Sequence, residues 1–169
     1  MPNALNSVYA QLAQSLASLL DSLPKKPDAI LMISAHWEAP EFTVQTALQP
    51  DMIYDYGGFP PHTYQVHYAS SGSPELAERV VDLLEQAHIK VSSDDGRGYD
   101  HGMFSPMQII NPAADIPVVQ LSLKKGLNPQ EHIEMGRALA ALRDENILII
   151  ASGLSYHNLR MFNANAAGP

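Results

Sequence analysis

The chain has 169 residues, 46% of them hydrophobic, and a formal net charge of -8 from 10 Lys+Arg against 18 Asp+Glu. That is enough chain for one buried core, and the acidic balance lacks the basic field that nucleic acids and anionic membranes reward. There is no cysteine, so disulfides, thiolate metal ligands and a cysteine nucleophile are excluded; no stretch approaches a membrane span or a signal peptide, and the expectation is a soluble, cytoplasmic protein.

The first element is an amphipathic helix over Ser7 to Leu23, with Val8, Leu12, Leu16, Leu19, Leu20 and Leu23 at helical spacing and Pro24 ending the run. A buried strand is expected at Ala29 to Ser34, running straight into His36 and the only tryptophan, Trp37. A second strand is expected at Phe42 to Ala47. The stretch Leu48 to Pro74 is rich in Pro, Gly and Tyr and has no stable period beyond a short strand at Thr63 to Tyr68; long irregular segments of this kind tend to be functional covers. Ser73 as N-cap and Pro74 at the first helical position start a helix to Ala87, with Leu76, Val80, Leu83 and Leu84 inward.

A short strand follows at Ile89 to Ser92, then a second irregular segment, "SSDDGRGYDHGMFSP", and a buried strand at Ile116 to Leu123. Asn128, Pro129 and Glu131 are the N-cap, first-turn proline and capping-box acid of a helix to about Asp144. The last strand is expected at Asn146 to Ala151, opening into "LSYHNLR". This alternation argues a single α/β domain over residues 1–169, a three-layer α/β/α arrangement on a mostly parallel sheet.

Of seven histidines, four have ordinary explanations. His88 closes a helix, His132 shares a helical stripe with Met135 and Leu139, and His62 and His67, five apart, are poorly placed to chelate together. The other three share a setting: His36 and His157 follow strands, and His101 sits in a Gly-rich loop before "SPMQII". Residues just past parallel strands converge on one crevice, so these three are candidates for a metal or acid/base site. The chain lacks H-E-x-x-H, an EF-hand loop and a P-loop, and "ASGLSYHNL" is not a G-x-S-x-G nucleophile elbow.

The segments "SAHWE", "YDYGGFP", "YDHGMFSPM", "ADIPVVQLSL", "GRALAALRDENILIIASG" and "HNLR" together resemble, in order and across nearly the whole chain, the class III extradiol aromatic ring-opening dioxygenases (the LigB-like superfamily), in the branch that includes DOPA 4,5-dioxygenases. The resemblance implies a non-haem Fe(II) site, which zinc can also occupy, and a reaction in which O₂ opens a catechol ring. His36 is then a metal ligand, and His157 a ligand or the acid/base residue. His101 lies in the substrate pocket as a hydrogen-bonding partner to substrate or bound oxygen. The N-terminal "HGSP"-like motif and the final ligand segment of that family have no counterpart here. The resemblance therefore implies an internal piece of a longer enzyme, inactive by itself and prone to associate with itself or a partner.

The aromatic loop Tyr54 to Phe59 is a candidate cover, turning at Gly57 and Gly58, and Arg97 and Arg160 are equal candidates for a substrate carboxylate. Two alternatives stand beside the dioxygenase: a zinc hydrolase on the same scaffold with Glu38 as general base, and a non-catalytic binding protein.

Overall fold

The structure, a computed structural model, describes residues 9–154. Its centre is a five-stranded sheet made of β1 (Ala29–Ala39), β2 (Phe42–Gln45), β3 (Val91–Asp94), β4 (Val118–Lys124) and β5 (Ile147–Ser152), in the order β3-β2-β4-β1-β5. β1 pairs parallel with both β4 and β5, and β2 parallel with β3; the single antiparallel pairing is β2 with β4. The sheet is thus mostly parallel, as expected from strands connected through helices.

Alternation along β1 explains the layers. Leu31 points into a core shared with Val80, Leu84, Leu139 and Leu142, from the side of α2 (Pro74–Gln86) and α4 (Pro129–Ala138). Ile30 and Met32 point the other way, into a core with Met103, Phe104 and Met107 of α3 (His101–Ile110) and, at its border, Leu16, Leu19 and Leu20. Leu16 belongs to α1 (Ala10–Ala17), and a 3₁₀ turn at Leu20–Ser22 follows it. A strand with both faces covered by helices has to be apolar at every position, and the run from Ala29 to Met32 is buried throughout.

The helix starts follow their capping residues. The Ser73 side chain accepts from the Leu76 N–H, and the Asn128 side chain from those of Gln130 and Glu131. Several boundaries differ from the sequence expectation. The last helix leaves the α geometry at Ala138 and continues as 3₁₀ over Leu139–Arg143. Thr63 to Tyr68 is not a strand; a 3₁₀ helix occupies Pro61–Gln65, its start fixed by the restricted backbone of Pro60 and Pro61. β3 begins at Val91, because His88 adopts a left-handed φ of 58° as the chain leaves α2 and spends Ile89 on the turn.

Two departures matter for function. β1 does not stop at Ser34 but runs to Ala39, so His36 lies within it. Also, "YDHGMFSP" is not loop: Asp100 caps α3, and His101 is that helix's first residue. The cap explains why: the Asp100 carboxylate accepts from the Met103 N–H, satisfying a donor that the first turn leaves free. Pro106 sits inside the helix and has no N–H, so it cannot donate to the carbonyl four residues back, that of Gly102.

Candidate metal and acid/base site

The site is assembled where β1 loses its register. Ile33 pairs with Leu121 on β4, and the next paired residue, Glu38, faces Leu123: five steps on β1 against two on β4. The surplus lies in Ser34 to Trp37. A bulging strand turns its side chains away from the regular pleat, and here it brings His36 out of the core while Trp37 stays buried.

α3 docks against this bulge. Asp100, with no exposed surface, accepts hydrogen bonds from Ser34 Oγ at 2.6 Å, Gln120 Nε2 at 2.9 Å and the Arg97 guanidinium at 2.8 Å. A buried carboxylate needs a cation and a full set of donors, and it has both. Ser34 Oγ also accepts from the His36 N–H at 3.2 Å, so one carboxylate holds the backbone at His36 and the start of the helix bearing His101. The approach is close enough to require Gly102: a Cβ there would collide with Ser34 Oγ and sit 3.2 Å from the His36 ring.

Asp55 joins the two histidines. Its Oδ1 accepts from the His101 backbone N–H at 3.0 Å and lies 2.6 Å from His101 Nδ1, while Oδ2 lies 3.3 Å from His36 Nδ1. The imidazole centroids are 4.0 Å apart. The loop carrying Asp55 is registered against the approach to α3 by a short parallel bridge, Met52 with Tyr99, with Ile53 N–H donating to Tyr99 O and Tyr99 N–H to Asp51 O, both 2.7 Å. Partial burial pushes the Asp55 carboxyl up. The His101 ring and backbone N–H, with the charge of that ring, outweigh it and hold the group below the ordinary carboxylate range.

Aromatic residues wall the site. Tyr56 meets the His101 ring edge-on at 5.2 Å, and Tyr54, Phe59, Tyr64 and Phe104 pack around Tyr56. The Tyr54 and Tyr56 hydroxyls donate to the Val66 and Thr63 carbonyls, so the loop spends its phenols on its own backbone and leaves ring surface beside the histidines. Gly58, at φ 77°, makes the turn of this loop; Gly57 does not take a left-handed conformation.

Of the sequence candidates, His36 and His101 come together, and His157 lies outside the described residues. His132 is structural: its Nε2 accepts from the Lys124 N–H and its ring packs edge-on against Phe42. Arg97 is committed to Asp100, with its guanidinium 4.9 Å over the Trp37 ring, which removes it as a ready cation for a substrate carboxylate; Arg160 lies outside the described residues. Glu38 is not among the residues that meet the histidines. Asp55 is, and sequence reasoning missed it: the loop "YDYGGFP" was legible as an aromatic cover, and the acid between its tyrosines was the unused signal.

Ligand atoms of His36, Asp55 and His101 all lie within 4.8 Å of one another. Two imidazoles and a carboxylate are the donor types of non-haem iron and of catalytic zinc sites, so the chemistry of this set fits a divalent metal.

The mostly parallel α/β sheet thus carries a His-Asp-His cluster of metal-binding donor types against an aromatic wall. The chain belongs to the family described as the catalytic LigB subunit of aromatic ring-opening dioxygenase, whose model matches residues 3–169. It is 49% identical over 134 residues to a 4,5-DOPA dioxygenase extradiol of Beta vulgaris, covering 79% of this chain and 50% of that protein. Over 156 residues it is 44% identical to the 4,5-DOPA dioxygenase extradiol of Escherichia coli K12, covering 92% and 55%. Dioxygenase tasH of Hapsidospora irregularis is 46% identical over 147 residues, covering 86% and 45%. A crystal structure of an uncharacterized Escherichia coli K12 protein superposes with a TM-score of 0.72 at 42% identity, covering 88% of this chain and 55% of that one. The chain spans about half the length of the curated relatives it matches.

Proposed function

We propose that this chain serves extradiol cleavage of a catechol-type ring by O₂ in the cytoplasm, with residues 1–169 forming part of one catalytic domain. The observation that carries the proposal is the meeting of His36 and His101 at Asp55, beside an aromatic wall, in a chain of this family. His36 would hold the metal; Asp55 Oδ1 is taken up by the His101 ring, so these two would stand beside the metal rather than complete its ligand set, and the remaining ligands would come from outside the described residues, with His157 a ligand or the acid/base group. Fe(II) is the metal proposed, with zinc an alternative occupant, and when bound it would bring catecholate and O₂ side by side and make their spin-restricted reaction accessible.

The protein's own part is binding and proton management. The ring edge of Tyr56, backed by Tyr54, Phe59 and Phe104, offers an apolar surface for the catechol ring and limits water at the site. One catechol proton must leave as the diol binds, and a proton must be returned as the O–O bond breaks. Imidazole suits both transfers, since its ordinary pKa of about 6.5 lies near working pH. His101, held at the mouth of α3, is placed to exchange a proton with a substrate hydroxyl.

The test is oxygen uptake by the iron-loaded full-length protein on a DOPA-like catechol, with appearance of the coloured ring-opened semialdehyde. Stoichiometric uptake is the expected result. Zinc-dependent ester or amide hydrolysis without oxygen uptake would replace this reading with the hydrolase. Absence of stoichiometric metal would favour a binding protein.

A further inference from the structure

We propose that Asp55 is a positioning residue that holds His101 in its Nδ1–H tautomer and so reserves Nε2 as the basic atom of that ring, while its second oxygen reaches the ring of His36. The purpose of the arrangement rests on the dioxygenase reading above; its geometry does not.

A carboxylate at neutral pH only accepts hydrogen bonds. Asp55 Oδ1 lies 2.6 Å from His101 Nδ1, so a proton must lie between them. On a neutral imidazole that proton is the only one, and Nε2 keeps its lone pair. The same oxygen accepts from the His101 backbone N–H at 3.0 Å, so ring and main chain are gripped together, and the ring cannot turn without giving up a charge-assisted bond. Asp55 is itself anchored two residues from Ile53, whose N–H is bonded across to Tyr99, next to the Asp100 that caps α3. Oδ2, 3.3 Å from His36 Nδ1, faces the other ring in the same sense. A carboxylate behind a histidine fixes which nitrogen is offered to a metal or substrate, and losing such a partner ordinarily weakens metal binding or activity by about 10- to 100-fold. Here a single carboxylate stands behind two neighbouring histidines.

The decisive measurement is the tautomeric state of the ring nitrogens by ¹⁵N NMR on the metal-free full-length protein at about pH 8, above the ordinary histidine pKa of about 6.5. In the unmodified chain His101 is expected as Nδ1–H, favoured about tenfold or more over Nε2–H. In Asp55→Ala the preference should disappear, with the Nε2–H form of free histidine becoming the major one. The amide spectrum recorded on the same sample shows whether that variant is folded. If it is not, Asp55→Asn, which keeps the size but removes the charge, serves in its place and should reduce the preference several-fold. His101 found as Nε2–H in the unmodified chain would overturn the proposal. So would an unchanged Nδ1–H ring in a folded variant, since other groups would then be holding it. Catalysis plays no part in this readout: a chain that turns over no catechol can still show the Asp55 effect, and an active dioxygenase can still lack it.

Discussion

His36 and His101 face the same carboxylate but enter it from different elements, and their substitution should separate two roles. In the full-length protein His36→Ala is expected to remove most of the bound metal, because sites of this type have about three protein ligands and do not survive the loss of one. His101→Ala is expected to retain the metal and slow oxygen uptake by about 10²- to 10⁴-fold, the usual effect of losing an acid/base group. For His157→Ala the expected loss of turnover is similar, and its metal content decides between ligand and proton carrier. Metal analysis beside oxygen-uptake rates reads all three. Two buried tyrosines make a separate prediction. Tyr68 and Tyr99 are buried and donate to the Asn111 and Val118 carbonyls. Burial pushes the Tyr68 phenol up to about 12 from 10.0 and raises Tyr99 as well. The folded chain therefore keeps protons that the unfolded chain sheds near pH 10, so the stability they confer is complete below about pH 10 and falls as pH rises toward 12. Urea midpoints measured from pH 8 upward should be flat and then drop above pH 10. Tyr68→Phe should lose roughly 1–3 kcal/mol at neutral pH, from the stranded carbonyl, and show a shallower alkaline drop.

Among the elements, the junction of α3 with β1 is the one whose fit sets the site. Gly102 lets the first turn of α3 lie against Ser34 and the His36 ring. Gly102→Ala should push that turn outward, costing about 1–3 kcal/mol as overpacking does, and it should also weaken metal binding. Leu84→Ala is the control: Leu84 is fully buried in the core on the opposite face of the sheet, and truncating it should cost about 2–5 kcal/mol while leaving metal affinity unchanged. Denaturation midpoints and metal titrations on the two variants check this, and equal effects on affinity would show that the junction has no special hold on the site. Helix starts, by contrast, were readable residue by residue. Ser73-Pro74 and Asn128-Pro129 mark α2 and α4 because capping is decided within four residues. Asp100 is the same kind of cap, but the glycines on either side of "YDH" suppress the local helical signal, and the tertiary partners Ser34 and Gln120, with Arg97 three residues upstream, are what make it a stable start.

For the whole molecule, the open side of the sheet is the main liability. Among the described residues β5 pairs only with β1, and Ile147 to Ile150 are half-buried rather than covered. Leu154, just beyond, is 71% exposed. A strand edge with apolar faces favours association, so the 169-residue chain at micromolar concentration is expected to scatter light as a species larger than its 18.4 kDa monomer. A monodisperse monomer with cooperative unfolding would show that the edge is protected.

What the sequence determined by itself was whatever depends on neighbours a few positions away. The apolar run through Ile30 to Met32 specifies a doubly covered strand, the Ser-Pro and Asn-Pro pairs specify helix starts, and the alternation of the two specifies the layers. The histidines too stood out in the sequence, His36 and His101 as candidates with no packing reason to be where they are. Tertiary structure alone decided that these two meet, and at which carboxylate. The register break in β1 becomes visible only against β4, which lies some 90 residues further along the chain, because a bulge is a property of a pair of strands. Asp55 becomes a partner of His101 only through the Met52 to Tyr99 bridge, which closes 46 residues between them. No local pattern encodes such a contact: it is selected by the packing of α3 on the sheet, and the carboxylate in the aromatic loop acquires its role from where that packing leaves it.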